Sequence, residues 1–238
     1  MTVRPTAARE RVIVALDVPD AGAARALVER LRGRVGMFKV GSQLFTAAGP
    51  QLVRELTAAG ERVFLDLKYH DIPNTVASAV ASACRLGVSL VDVHALGGRA
   101  VMEAAVGALP AIGTRLLAIT ILTSHDEASL RSLGIDGPLP ASVRRLALLA
   151  REARVDGVVA SPHEVAVIRE ACGPDFLVVT PGIRPAGAQA QDQARAATPA
   201  AALAAGADYI VVGRPITGAE DPAAAVDAIV RELDSGRS

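Results

Sequence analysis

VFLDLKYHDIPNT, residues 63–75, begins as an apolar β-type run and then sets Asp66, Lys68 and Asp71 close together. On a strand, side chains alternate between faces, so Asp66 and Lys68 project to one side and Leu65 and Leu67 to the other. The run therefore has an apolar back and an ionic front, and Asp71 follows in the loop. Burying such charges costs on the order of several kcal/mol each unless they are paired. A cluster of this kind at the end of a strand points to chemistry.

Working outward, apolar and β-branched runs of the same type recur at 12–17, 37–40, 62–68, 90–94, 116–122, 157–160, 176–180 and 209–213. Most begin about 25 residues apart, the length of a strand plus a crossover helix. The segments between them carry helical punctuation. Residues 21–32 follow Pro19-Asp20, 50–59 stop at Gly60, 75–86 stop at Gly87, and 198–205, with Pro199 just inside, stop at Gly206. Proline near a start and glycine just past an end is the expected asymmetry. Eight such units with no domain-sized linker predict a single (β/α)8 barrel over 1–238, with 1–10 as a short N-terminal tail. An open doubly wound sheet shares the alternation, but eight units of even length favour closure.

Composition agrees. Of 238 residues, 51% are hydrophobic and only 3% aromatic, so the core must be built from Val, Leu, Ile and Ala. That suits helices packed on a parallel sheet. Net charge is zero, from 25 basic and 25 acidic side chains, with no basic run, so a nucleic-acid partner is not expected. Cys84 and Cys172 lack CxxC spacing, which disfavours zinc ligation and a disulfide framework. The first apolar run is too short for a signal peptide, and no stretch reaches the roughly 20 apolar residues of a membrane span. A soluble, cytoplasmic protein is the expectation.

In a barrel the strand C-termini meet at one rim. Reading the ends in turn gives Asp17, Lys39, Asp66 with Lys68, His94, Thr123, Ser161, Thr180-Pro181-Gly182 and Gly213-Arg214. The opposite ends promise no comparable set. Lys39, Asp66, Lys68 and Asp71 suggest an alternating ionic network that keeps Lys68 charged as a proton donor. Salt bridges that merely wedge the barrel are the alternative, disfavoured because buried ion pairs are poor stabilisers beside apolar packing. Gly213-Arg214, with Pro181-Gly182 and Arg184, suggests a phosphate site. His94 is as readily a wall residue as a base and is left out of the machinery. His70, His125 and His163 show no metal-ligand spacing. The long connections 123–140 and 181–197 both leave the active rim, and the second has the small residues of a closing loop.

LDV (16–18), FKVG (38–41), DLKYHDIPNT (66–75), VTPGIRP (179–185) and DYIVVGRPIT (208–217), in this order, resemble the orotidine 5′-phosphate decarboxylase family along nearly the whole chain. The element D-x-K-x-x-D alone is shared with metal-dependent sugar-phosphate decarboxylases and aldolases; the continuation Ile72-Pro73-Asn74-Thr75 with the PGIRP loop is more specific. The resemblance implies conversion of orotidine 5′-monophosphate to UMP and CO2, the last step of de novo UMP synthesis, without cofactor or metal. It implies that Lys68 protonates C6, that Asp66 lies near the departing carboxylate, and that the enzyme is a homodimer. Asp71 and Thr75 would then enter from the neighbouring subunit, with Ile72 beside them at the substrate. Asp17 and Lys39 would hold ribose hydroxyls and order the charges, Thr123 and Pro181 would sit against substrate, and Arg184, Gln193, Gly213 and Arg214 would grip phosphate. Two rivals share parts of the pattern: a metal-dependent enzyme on a sugar phosphate, and a nucleotide-sensing barrel without catalysis.

Overall fold

The computed structural model describes residues 5–185 and 197–235. Among them, eight strands close into a parallel barrel in sequence order. They are Val12–Ala15 (β1), Met37–Gly41 (β2), Val63–Tyr69 (β3), Leu90–His94 (β4), Arg115–Ile119 (β5), Gly157–Val159 (β6), Leu177–Thr180 (β7) and Tyr209–Val212 (β8). Closure is made by β1 and β8, with Ile13 opposite Val211 and Val14 opposite Val212. The expected runs extend past several of these ends. The reason is visible in the ladder, which continues beyond the regular pairing: Leu16 N–H donates to Lys39 O (2.9 Å) and Ala160 N–H to Val179 O (3.1 Å).

The helices are Ala21–Leu31 (α1), Ser42–Ala58 (α2), Pro73–Cys84 (α3), Arg99–Gly107 (α4), Glu127–Ser132 (α5), Leu139–Glu152 (α6), Val165–Cys172 (α7), Pro199–Ala204 (α8), Arg214–Thr217 (α9) and Pro222–Ser235 (α10). Asp20 caps α1 by accepting from Ala23 N–H at 2.9 Å. Thr198 stands outside α8 as its cap rather than within it. Helix α3 starts at Pro73, ahead of the expected residue 75, because proline has no N–H to satisfy in a first turn. Sequence reading found only the second limb of α2; Gly49, at φ 68°, and Pro50 divide it into two. The connection after β5 is not structureless, since it holds α5. None of the described helices is long and apolar enough to cross a membrane.

Both faces of the strands are buried, which is why they read as near-continuous apolar runs. Ile13, Met37, Phe64, Leu90, Leu117, Leu177 and Tyr209 fill the interior. Val14, Phe38, Leu65, Val91, Val158 and Val212 pack outward against the helices. Gly157 has a specific reason to be glycine: a Cβ there would stand 2.3 Å from Leu177 O. The expected tail is shorter than residues 1–10. Ala8–Arg11 form a 3-10 turn with Ala8 buried, and Gly36 packs so tightly on Glu10 that a Cβ would come within 2.1 Å of its carbonyl.

The N-terminal rim carries charges of its own. Asp156 accepts from Leu116 N–H and Asp208 from Val178 N–H, each at 2.8 Å, and Arg169 pairs with Asp208. These groups bind strand ends and each other. Charge at this rim ties neighbouring strands together; charge at the other rim lines a cleft.

Candidate active site

A cleft of about 490 Å³ opens at the C-terminal rim, within the usual range of about 300–1,000 Å³ for small-molecule sites. Asp17, Lys39, Asp66, Lys68, Thr123, Pro181, Arg184, Gly213 and Arg214 all line it. Phe64, Ile119 and Val159 add apolar surface, and Gln43, which sequence reading passed over, joins the wall from the first turn of α2.

The ionic residues form a chain. Lys39 Nζ stands 3.2 Å from Asp17 Oδ1 and 3.2 Å from Asp66 Oδ2, while Lys68 Nζ donates to Asp66 Oδ1. Burial alone would lower the pKa of Lys39, but the charges of Asp66 and Asp17 outweigh it and raise the pKa. Burial would likewise raise Asp66; Lys39, a hydrogen bond with Asp92 and Lys68 together pull it down to about 2. Gly41 leaves room for this group, since a Cβ there would lie 3.0 Å from Lys39 Nζ.

Lys68 reaches the cleft as the strand alternation predicts, but not by regular strand geometry. Its φ is 52°, one of two non-glycine positive values among the described residues. Residues held there cost on the order of 1–3 kcal/mol and cluster at functional sites. The cause is a shift of register: Leu65 pairs with Val91 and Tyr69 with Val93, so three residues of β3 span one of β4. That one residue is Asp92. It is completely buried, and its Oδ1 accepts from Lys68 N–H at 2.8 Å. Burial, then the neighbouring Asp66 charge, push its carboxyl well above the ordinary range. Sequence reading missed Asp92. The available signal was an acid inside the apolar run VSLVDVH, two residues before His94 and so on the same face.

His94 does not line the cleft. Burial first, then His70, Lys68 and His125, lower its pKa to about 4, and it stacks on His70 with ring centroids 5.3 Å apart. Asp71, Ile72 and Thr75 are exposed and outside the cleft; Asp71 Oδ1 accepts from Ile72 N–H at 2.6 Å. Gln193 and residues 186–196 of the long connection after β7 lie outside the described residues. Among the described residues, no three His, Cys, Asp or Glu side chains converge to hold a metal.

A model of the family described as "Orotidine 5'-phosphate decarboxylase / HUMPS family" matches residues 10–229. The chain is 58% identical to the orotidine 5'-phosphate decarboxylase of Halorhodospira halophila, covering 94% of this chain and 95% of that protein. It is 55% identical to the one from Geobacter sulfurreducens, covering 96% and 98%. The crystal structure of orotidine 5'-phosphate decarboxylase from Lactobacillus acidophilus superposes with a TM-score of 0.83 at 40% identity, covering 98% of this chain and 100% of that one.

Proposed function

Because the chain belongs to the orotidine 5'-phosphate decarboxylase / HUMPS family, we propose that it is a carbon–carbon lyase converting orotidine 5′-monophosphate to UMP and CO2 without a metal or organic cofactor. The observation that carries this reading is the chain Asp17–Lys39–Asp66–Lys68, fixed in one cleft with Arg184, Gly213 and Arg214.

Arg214 and Arg184 supply forked, charge-assisted bonds for the phosphate, the Gly213 backbone lets it approach, and Gln193 completes the grip. Thr123 and Pro181 border the pyrimidine. Asp17 and Lys39 hold ribose hydroxyls. Breaking the bond from C6 to the carboxylate releases CO2 and leaves its electron pair on C6. Lys68 Nζ–H stabilises that charge and transfers its proton to C6, giving UMP; the neutral amine then regains a proton from water. Fixed charges in a site that excludes water need little reorganisation during the reaction, which makes their effect large. Phosphate lies far from C6, so its binding energy can be used to shape the site rather than to hold the ground state.

Asp71, Ile72 and Thr75 complete the site of a second copy in a homodimer. Their exposure supports this reading, as does Ile72, a large apolar side chain 66% exposed at the start of α3. On this reading, Asp71 of the partner subunit joins the ionic chain beside Lys68, and Thr75 of the partner subunit reaches the ribose. The reaction belongs with cytoplasmic pyrimidine synthesis.

The test is loss of the orotate-ring absorbance when purified protein meets orotidine 5′-monophosphate, with and without EDTA, beside Lys68→Ala. Turnover indifferent to EDTA and reduced at least about 10³-fold in the variant is expected. No turnover by the intact protein would sink the assignment. Turnover abolished by EDTA would make Asp66 a metal ligand and favour a sugar-phosphate type of chemistry.

A further inference from the structure

The register shift between β3 and β4 leaves a backbone problem that one side chain answers. Three residues of β3, Asp66, Leu67 and Lys68, lie between two consecutive pairings with β4, and only Asp92 stands opposite them. A bulge of this kind leaves residues outside the ladder. The amide of Lys68 is bound not by a β4 carbonyl but by Asp92 Oδ1, at 2.8 Å. That bond is made at the residue whose φ of 52° turns its side chain into the cleft.

The second oxygen of Asp92 raises a sharper question. Oδ2 is buried, and no donor stands against it among the described residues. Across the bulge it faces Asp66, whose carboxyl acts directly on that of Asp92. Two carboxyls can share a hydrogen bond only when one carries the proton, since an ionised carboxylate only accepts. Asp66 already accepts from Lys68 and lies 3.2 Å from Lys39, so the negative charge belongs on Asp66. The groups facing Asp92 agree: Asp66 and Lys68 come from β3, Leu117 is its apolar partner on β5, and His94 follows on its own strand. Burying a second unpaired carboxylate there would cost several kcal/mol, whereas a neutral acid with both oxygens bonded does not carry that cost.

We propose that Asp92 is a positioning residue: a neutral carboxylic acid that accepts from Lys68 N–H and donates its own proton to Asp66. It couples the backbone of the proton donor to the carboxylate beside it, fixing both before substrate arrives. It touches no substrate and transfers no proton to it.

Asparagine is the isosteric neutral mimic, since its carbonyl accepts from Lys68 and its amide donates to Asp66. Alanine supplies neither bond. Kinetically the inference rests on the decarboxylase reading, and there Asp92→Ala should lower kcat about 10²-fold, as displacement of a reacting group by about 1 Å does, with KM changed far less. Asp92→Asn should recover most of that loss and stay within about threefold of the parent. An ionised Asp92 predicts the reverse, with asparagine as damaging as alanine, and that result would overturn the proposal. A second arm needs no substrate. Infrared spectra of the parent at pH 7 should contain the carbonyl-stretch band of a protonated carboxylic acid, absent from Asp92→Asn and from Asp92→Ala. A parent spectrum without that band overturns the protonation even if either variant fails to fold. Failure of the parent to decarboxylate, with the band present, would sink the functional reading and leave the neutral acid standing.

Discussion

Asp66 takes a hydrogen bond from Lys68 and an ion pair from Lys39 while buried beside the barrel wall, so its charge holds two like charges near each other. Replacing it by asparagine keeps the shape and removes the counter-ion. Asp66→Asn should lower kcat by about 10²–10³-fold, in the range for loss of one preorganised electrostatic group, with an unchanged circular dichroism spectrum. His94 gives a pH prediction. Its pKa lies at about 4 in the folded protein against the ordinary 6.5. Below pH 6.5 the unfolded chain takes up a proton that the native histidine refuses, so stability falls as pH drops from 6.5 toward 4. Denaturant unfolding across that window should give a shallower slope in His94→Asn. Asp66 acts lower: its stabilising charge is present above 3.8 and is lost as pH falls through about 2, so the two contributions separate. At this scale Asp17, Lys39, Lys68, Arg184 and Arg214 were legible, because each polar side chain interrupts or ends an apolar run. Asp92 was not singled out, because its role depends on a register shift between two strands, and pairing register is not written in either strand alone.

The strands were legible as elements because burial on both faces removes the polar alternation and leaves unbroken Val, Leu and Ile. Their ends were blurred for the same reason: ladder bonds continue past Ala15 and Val159 into equally apolar sequence. Gly49 and Pro50 read as punctuation, which they are, but they bend α2 rather than begin it. Glycine in β6 is the element-scale test. With a would-be Cβ 2.3 Å from a backbone carbonyl of β7, Gly157→Ala forces those neighbouring strands apart. Overpacking a core costs about 1–3 kcal/mol, and the upper end or beyond is expected where the obstacle is backbone. Urea unfolding should register a loss of at least about 3 kcal/mol, or the variant should fail to accumulate as folded protein.

For the whole molecule, the sequence carried barrel closure through the count and even spacing of its units. It could not carry the separation between cleft residues and residues 71, 72 and 75, which read as one motif with Asp66 and Lys68 yet face solvent in the folded chain. If they serve a second copy, two inactive variants should complement. Lys68→Ala and Asp71→Ala, mixed so that subunits exchange, should regain activity from mixed dimers in which one site has both residues intact. Random pairing puts that at about one quarter of the parent's sites. Activity that stays at the level of the separate variants, while gel filtration shows exchange into dimers, would place Asp71 outside the partner's site.

The pairing of β1 with β8 bears on how such a molecule is made. Asp17 follows the first strand and Arg214 the last, and the two meet in one cleft only across that final seam. Contacts separated by nearly the full chain are entropically the slowest to form. A ribosome adding about 5–20 residues per second has therefore released most of the barrel before a substrate pocket can exist. The nascent chain stays catalytically silent until its last strand has emerged and docked on its first.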